Sequence, residues 1–112
     1  MHERAPKLLF DAIGAIDAAT SFLGDASLDQ YIANAMLRSA VERQLEILGE
    51  ACGRLDKLDA SWSQTVPDIR LAVGLRNRII HGYDAVDDAM VFETVHADLQ
   101  NLRNALAKAL PE

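Results

Sequence analysis

Apolar residues recur every three or four positions along most of the chain, a spacing that places them on one face of an α-helix. The first such segment runs from about Pro6 to Leu23, and Gly24 and Asp25 follow it as a stop signal. Its expected buried stripe consists of Leu9, Ile13, Ile16, Thr20 and Leu23. We therefore predict that the chain begins with an amphipathic helix.

A second and longer helix is expected to begin after Ser27. Gln30 follows Ser27 by three residues, the spacing at which the two side chains satisfy each other's backbone N–H groups at a helix start. No proline interrupts the pattern before Pro67, so this helix has room for seven turns or more. Its expected buried stripe consists of Ile32, Ala35, Val41, Leu45, Leu48, Cys52 and Leu55.

A third helix is predicted from about Pro67 to Ile80 or His81. Thr65 and Asp68 on either side of Pro67 form a typical helix-start signal. The region between the second and third helices shows no helical periodicity, so it is expected to be a connection.

A fourth helix completes the pattern. Gly82 suits the left-handed conformation that ends a helix, and Asp84 or Asp87 can cap the helix that follows. The apolar stripe of this helix consists of Val91, Val95, Leu99, Leu102 and Leu106. Helices joined by short connections favour an all-α fold, an antiparallel bundle of four to five helices.

Length, charge and cysteine content limit the class of protein. The chain has 112 residues and is expected to form one domain over residues 1–112. Eleven Lys and Arg against seventeen Asp and Glu give a net charge of −6, which excludes nucleic-acid binding by bulk positive charge. The single Cys52 cannot form an internal disulfide, and the first residues lack the apolar run of a secretion signal. A cytoplasmic protein without a membrane partner is expected.

Positive charge is concentrated in the third helix and just after it. The segment 69–83 contains Arg70, Arg76, Arg78 and His81 without an acidic residue, whereas the rest of the chain has eight basic and seventeen acidic residues. Arginine binds phosphate with several donors, and histidine can transfer a proton near neutral pH. With the hydroxyl of Tyr83, these residue types suit phosphodiester chemistry at a local basic patch, where any contact with RNA or DNA would have to occur.

The helical positions of these residues suggest a site shared by two chains. At about 100° per residue, Arg76 falls in the middle of the apolar face of the third helix, and His81 projects about 140° away from it. Arg76 and His81 of one chain would therefore not converge on one atom. Gly74 lies near His81 on the same projection and would let a neighbouring helix approach closely.

Structural roles also fit the same residues. Arg76 could be a salt-bridge partner of Glu42, Glu46 or Glu50 on the second helix. His81 next to Gly82 could cap the helix and interact with its dipole. These alternatives remain open from spacing alone.

The segment 76–83, RNRIIHGY, is an arginine, four residues, a histidine, one residue and a tyrosine. It resembles the signature of the HepT-like toxins of the HEPN superfamily, once described as the domain of unknown function DUF86. The flanks are also similar, because 41–51 (VERQLEILGEA) resembles the long second helix of that family and 84–99 (DAVDDAMVFETVHADL) its closing segment. The resemblance covers most of the chain.

The resemblance implies a helical homodimer in which two motifs line one cleft. It implies a metal-independent ribonuclease toxin and a partner nucleotidyltransferase, its antitoxin. By this resemblance Arg76 and His81 would be the catalytic pair, with Asn77 and Arg78 as supporting residues. Tyr83 would be the hydroxyl to which the antitoxin attaches AMP.

No cofactor or metal ion is expected, since His2, His81 and His96 show no metal-ligand spacing. The main alternative function is a helical dimer without catalysis, which binds a nucleotide or the nucleotidyltransferase through Arg76. A third alternative is a structural bundle with a buried Arg–Glu pair.

Overall fold

The computed structural model describes residues 1–111, which contain helices and no strand. In chain order the helices are α1 (Ala5–Leu23), α2 (Leu28–Ala33), α3 (Ala35–Leu58), the single turn α4 (Trp62–Thr65), α5 (Ile69–His81), α6 (Asp88–Glu93) and α7 (Leu99–Ala109). A 3-10 turn, Tyr83–Ala85, follows α5, and a π-helical turn, Thr94–Asp98, joins α6 to α7. Glu112, the last residue of the predicted domain, lies outside the described residues.

Helices α1, α3 and α5 pack side by side in alternating directions. Arg4 near the start of α1 lines the same groove as Lys57 near the end of α3. Ile80 near the end of α5 shares a groove with Arg43 in the first half of α3. These neighbours confirm the antiparallel arrangement for α1 with α3 and for α3 with α5.

The core forms along the predicted stripes of the first and last helices. In α1 the stripe residues Leu9, Ile13, Ile16 and Leu23 are buried, whereas Thr20 is exposed. All five apolar residues predicted for the fourth helix are buried: Val91, Val95, Leu99, Leu102 and Leu106.

Within residues 1–111, no helix combines the length and the apolarity needed to cross a bilayer.

Two of the predicted helix-start signals are present as hydrogen bonds. Gln30 N donates to Ser27 Oγ at 3.1 Å, and Ser27 N donates to Gln30 Oε1 at 2.8 Å, which confirms the capping box. Asp87 caps α6, since its Oδ1 accepts a bond of 3.0 Å from Met90 N. Asp84, the other predicted cap, lies in the 3-10 turn instead.

The prediction of one continuous helix after Ser27 is wrong, because the helix is interrupted at Asn34. Asn34 has an extended backbone (φ −112°, ψ 94°), and its Oδ1 accepts a hydrogen bond of 3.0 Å from Leu37 N. Asparagine side chains compete in this way with helical hydrogen bonds, so α2 ends and α3 begins here. Ile32 and Ala35 are consequently exposed and do not belong to the buried stripe.

The third predicted helix ends at His81, as expected, but it begins at Ile69, and the signals predicted at its two ends are corrected. Asp68 precedes α5 without a side-chain capping bond, so the expected Thr65–Asp68 signal does not form a capping box. Gly82 has φ −118° and is not left-handed. The backbone instead continues into the 3-10 turn, where Ala85 N donates to Gly82 O at 2.9 Å, so no reversal of hand is required.

Candidate active site

The contact between α3 and α5 sets the position of Arg76. A Cβ atom at Gly49 of α3 would lie 2.8 Å from the carbonyl oxygen of Ala72 and 3.1 Å from Cγ of Arg76. Glycine is therefore required for the close approach of the two helices. At Gly74, where we expected room for a neighbouring helix of a second chain, a Cβ atom would meet no atom of residues 1–111 within 4 Å beyond its chain neighbours and the backbone of α5.

The prediction that Arg76 lies in the middle of the buried face of α5 is wrong. Arg76 lies at the edge of this face. The buried residues of this helix are Ile69, Ala72, Leu75 and Ile79. The prediction counted Val73 and Ile80, which are only half-buried, and overlooked Leu75, so it placed the centre of the face too close to Arg76. The Arg76 side chain is 29% exposed, which leaves its guanidinium accessible.

The Arg76 guanidinium lines an open groove of about 360 Å³ between α1, α3 and α5. Its Nη2 lies 3.4 Å from Glu50 Oε2, and its Nη1 donates to Asn77 Oδ1 at 3.2 Å. Glu50 Oε1 accepts a bond of 3.0 Å from Arg54 Nε. The hydrogen bond from Arg54 holds the pKa of Glu50 below its usual value, so one ionised carboxylate bridges two guanidinium groups.

The salt bridge with a glutamate of the second predicted helix is thus present, with Glu50 as the partner. The Glu50 side chain is 48% exposed, so the pair lies at the surface of the groove and not in the core. Glu46 lines the same groove and forms no salt bridge with Arg76 among residues 1–111. Surface pairs of this kind are weak, so a phosphate group can compete with Glu50 for the guanidinium.

Glu42 has different surroundings from the other two glutamates. Burial raises its pKa, and the charge of Asp88 raises it further, while Arg38 opposes the shift. Its neighbours also include Tyr31, whose buried hydroxyl has no hydrogen-bond partner among residues 1–111. Glu42 therefore belongs to the packing of α3 against α2 and α6.

The remaining motif residues are on the outside of α5 and beyond its end. Asn77, Arg78 and His81 are exposed, and Tyr83 in the 3-10 turn is 80% exposed. Helix α5 stays helical through His81, so Arg76 and His81 keep the expected separation of about 140° around the axis. One chain does not direct both side chains to the same point.

Within residues 1–111, neither a reactive cysteine nor a metal-binding cluster is present. Burial raises the pKa of the Cys52 thiol to about 12, so a reactive thiolate is not available at neutral pH. Among residues 1–111, no group of three or more His, Cys, Asp or Glu residues is arranged to hold a metal ion.

The sequence interpretation overlooked Gly49, Arg43 and Arg54. A glycine inside a long helix costs about 1 kcal/mol relative to alanine, so Gly49 was an available signal for a close helix contact. Arg43 and Arg54 had no such signal, because their place beside Arg76 depends on how α3 packs against α5.

Comparison with known proteins identifies the family. The family described as Ribonuclease HepT-like matches residues 12–109. Two similar proteins from Methanocaldococcus jannaschii are named putative RNase MJ0125 and putative RNase MJ1380. The first is 29% identical over 93% of this chain and 89% of its own length, and the second is 30% identical over 85% and 86%.

A third relative is the probable ribonuclease HepT of Thermococcus cleftensis, 28% identical over 89% of this chain and 90% of its own length. No solved structure gives a significant match. The family match extends over most of the helical bundle and includes the whole segment from Arg76 to Tyr83. The chain therefore belongs to the Ribonuclease HepT-like family.

Proposed function

We propose that this chain is the toxin of a toxin–antitoxin pair, a metal-independent endoribonuclease that acts at a dimeric cleft containing Arg76 and His81. The supporting observation is the accessibility of Arg76, whose guanidinium lines an open groove and is held by a half-exposed carboxylate. The names of the relatives, which are called RNases, support RNA as the substrate.

The proposal requires a homodimer, because Arg76 and His81 of one chain diverge around α5. The outer face of α5 offers a surface for a second copy, since Asn77, Arg78 and His81 are exposed on it. Gly74 lies near His81 on the helical projection, and within residues 1–111 no other element comes within 4 Å of its Cβ position. A partner helix can therefore approach the backbone at Gly74.

In the proposed reaction the ribose 2′-hydroxyl attacks the adjacent phosphorus and the bond to the 5′-oxygen breaks. One His81 accepts the proton of the 2′-hydroxyl, and a second His81 donates a proton to the leaving oxygen. Arg76 stabilises the negative charge that develops on the phosphorane. The products are a 2′,3′-cyclic phosphate and a free 5′-hydroxyl.

The exposed Tyr83 fits the proposed control by a nucleotidyltransferase antitoxin. Its side chain is 80% exposed, and it follows α5 two residues after His81. Attachment of AMP would add a negative phosphate and a base at the mouth of the cleft. RNA would then be excluded by both charge and volume.

Incubation with total RNA in EDTA tests the nuclease proposal. We expect cleavage by the wild type and none by Arg76→Ala or His81→Ala, while size-exclusion chromatography still gives a dimer. Loss of the ion pair in Arg76→Ala should lower the free energy of unfolding by about 1 kcal/mol or less, because Glu50 is half-exposed and keeps Arg54 as a partner. Cleavage that persists in His81→Ala would contradict the catalytic role of this histidine.

The pH dependence separates catalysis from simple binding. Cleavage by acid–base chemistry should depend on pH, whereas RNA or nucleotide binding without catalysis should depend mainly on salt. A wild type that binds RNA or nucleotide and never cleaves RNA would favour the alternative of a non-catalytic binding dimer.

Gly74→Leu tests the dimer separately from the fold. Because no other element among residues 1–111 comes within 4 Å of the Cβ position, we expect the single chain to accept the side chain. We expect loss of the dimer and of cleavage, with the helical circular dichroism spectrum preserved. A dimer of unchanged stability would exclude this face of α5 as the interface.

Tyr83→Phe tests the modification site. The variant should cleave RNA like the wild type and should gain no mass when incubated with the nucleotidyltransferase and ATP. The same mass increase on the Phe variant would assign the modification to another residue.

A further inference from the structure

The groove beside Arg76 is part of a longer basic surface. It joins a second groove of about 700 Å³ between α1 and α3 and a third of about 200 Å³ between α3 and α5, and Arg54 lines all three. We call the combined surface the basic groove. Its basic residues are Arg4, Lys7, Arg43, Arg54, Lys57 and Arg76.

The charge of the basic groove differs in sign from that of the remaining molecule. The basic groove is lined by six basic residues and by four acidic ones, Glu3, Asp11, Glu46 and Glu50. The remainder of the chain has five basic and thirteen acidic residues. A polyanion is therefore repelled by most of the surface and attracted along this path.

The cations of the basic groove can reach a ligand. Lys7 and Arg54 are at the surface, with side chains 76% and 64% exposed, and each is paired with an acid of its own helix. Arg4 and Lys57 are exposed and form no salt bridge with any residue among 1–111. Arg4 and Lys57 can therefore bind phosphates without first breaking an ion pair.

We propose that the basic groove binds the single-stranded RNA that flanks the cleavage point, with Arg76 at one end and Arg4 and Lys7 at the other. This inference rests on the proposed ribonuclease function, to which it adds the path of the substrate. Between Glu50 and Lys57 the helix α3 rises by about 10 Å, so the path extends for a few nucleotides beyond Arg76.

The lining of the basic groove favours contacts to the RNA backbone. No lining residue among 1–111 is aromatic, so the stacking platforms that commonly hold single-stranded bases are missing there. Contacts from Lys and Arg to phosphates carry no sequence information. Binding in the basic groove is therefore expected to be strongly salt-dependent and nearly independent of sequence.

Binding of a 2′-O-methyl oligoribonucleotide of 12 nucleotides, measured by fluorescence anisotropy at several KCl concentrations, tests the proposal. This probe lacks the free 2′-hydroxyl, so the wild-type protein can be used whether or not it cleaves RNA. The variant Arg4→Gln/Lys57→Gln removes two cations of the basic groove. The matched control Lys108→Gln removes an exposed cation of α7, which does not line the groove.

For the double variant we expect a Kd about tenfold higher than that of the wild type, and a salt slope lower by about 0.7 per lost phosphate contact. Lys108→Gln should bind like the wild type. A double variant with the Kd and salt slope of Lys108→Gln would overturn the proposed path, as would a wild type that does not bind the probe.

Cleavage of unmodified RNA, measured in parallel, separates this proposal from the previous one. If the wild type cleaves RNA and the groove variants bind normally, only the path is wrong. If the wild type binds the probe through the basic groove and does not cleave RNA, only the nuclease function is wrong.

Discussion

Gly49 and Arg76 are in direct contact, with the backbone of α3 at Gly49 lying against the aliphatic part of the Arg76 side chain. Beyond this contact the guanidinium lines the groove, where it pairs with Glu50, the residue after Gly49. The close contact between α3 and α5, which requires glycine at position 49, therefore positions the candidate catalytic arginine.

Gly49→Ala should destabilise the protein and reduce RNA cleavage. The new methyl group would lie 2.8 Å from Ala72 O, and overpacking of this kind costs about 1 to 3 kcal/mol. Chemical denaturation measures this loss. Gly14→Ala in α1 is the control, because no other element among residues 1–111 comes within 4 Å of its Cβ position, and it should gain about 0.5 to 1 kcal/mol. Equal effects of the two substitutions would contradict the close contact at Gly49.

Glu50→Gln should strengthen RNA binding. The substitution removes the negative charge that competes with phosphate for Arg76 and Arg54. Because Glu50 is half-exposed and screened by solvent, we expect only about a two- to fivefold fall in KM. Steady-state cleavage kinetics measure it, with Glu93→Gln on α6 as a control that makes the same change of charge. An unchanged or higher KM would show that Glu50 does not compete with the substrate.

Asn34→Ala tests the break between α2 and α3. Loss of the hydrogen bond from Leu37 N to Asn34 Oδ1 should cost about 1 kcal/mol of folding free energy. Asn101→Ala, at an exposed position within α7, is the control. If α2 and α3 formed one continuous helix in solution, Asn34→Ala would instead stabilise the protein, because alanine is the better helix former.

Glu42→Gln should stabilise the protein at neutral pH. Burial raises the pKa of Glu42 in the folded state, so the folded protein binds this proton more tightly than the unfolded chain does. The charged carboxylate therefore lowers stability above the unfolded pKa of about 4.3. Thermal unfolding should show a higher Tm for the variant at pH 7, and the gain should disappear as the pH falls below about 4. A gain of the same size at both pH values would exclude titration of Glu42 as its cause.

Local signals in the sequence determined most of the helices. The Ser27–Gln30 capping box, the cap at Asp87 and the apolar stripes of α1 and of the last helix all depend on residues within a few positions of each other. Such short-range preferences act before any tertiary contact forms, so they can be read from the chain. The segment from Arg76 to Tyr83 likewise pointed to the family that the comparisons identify.

Tertiary structure decided the features that depend on distant neighbours. The sequence offered Glu42, Glu46 and Glu50 as partners of Arg76, and only the packing of α3 on α5 selected Glu50. Packing also turned the buried face of α5 towards Leu75, which left Arg76 at its edge and accessible. The basic groove, whose three parts meet at Arg54, also depends on the packing of α1, α3 and α5. A helical projection gives the direction of a side chain, but it does not give the helix that lies opposite.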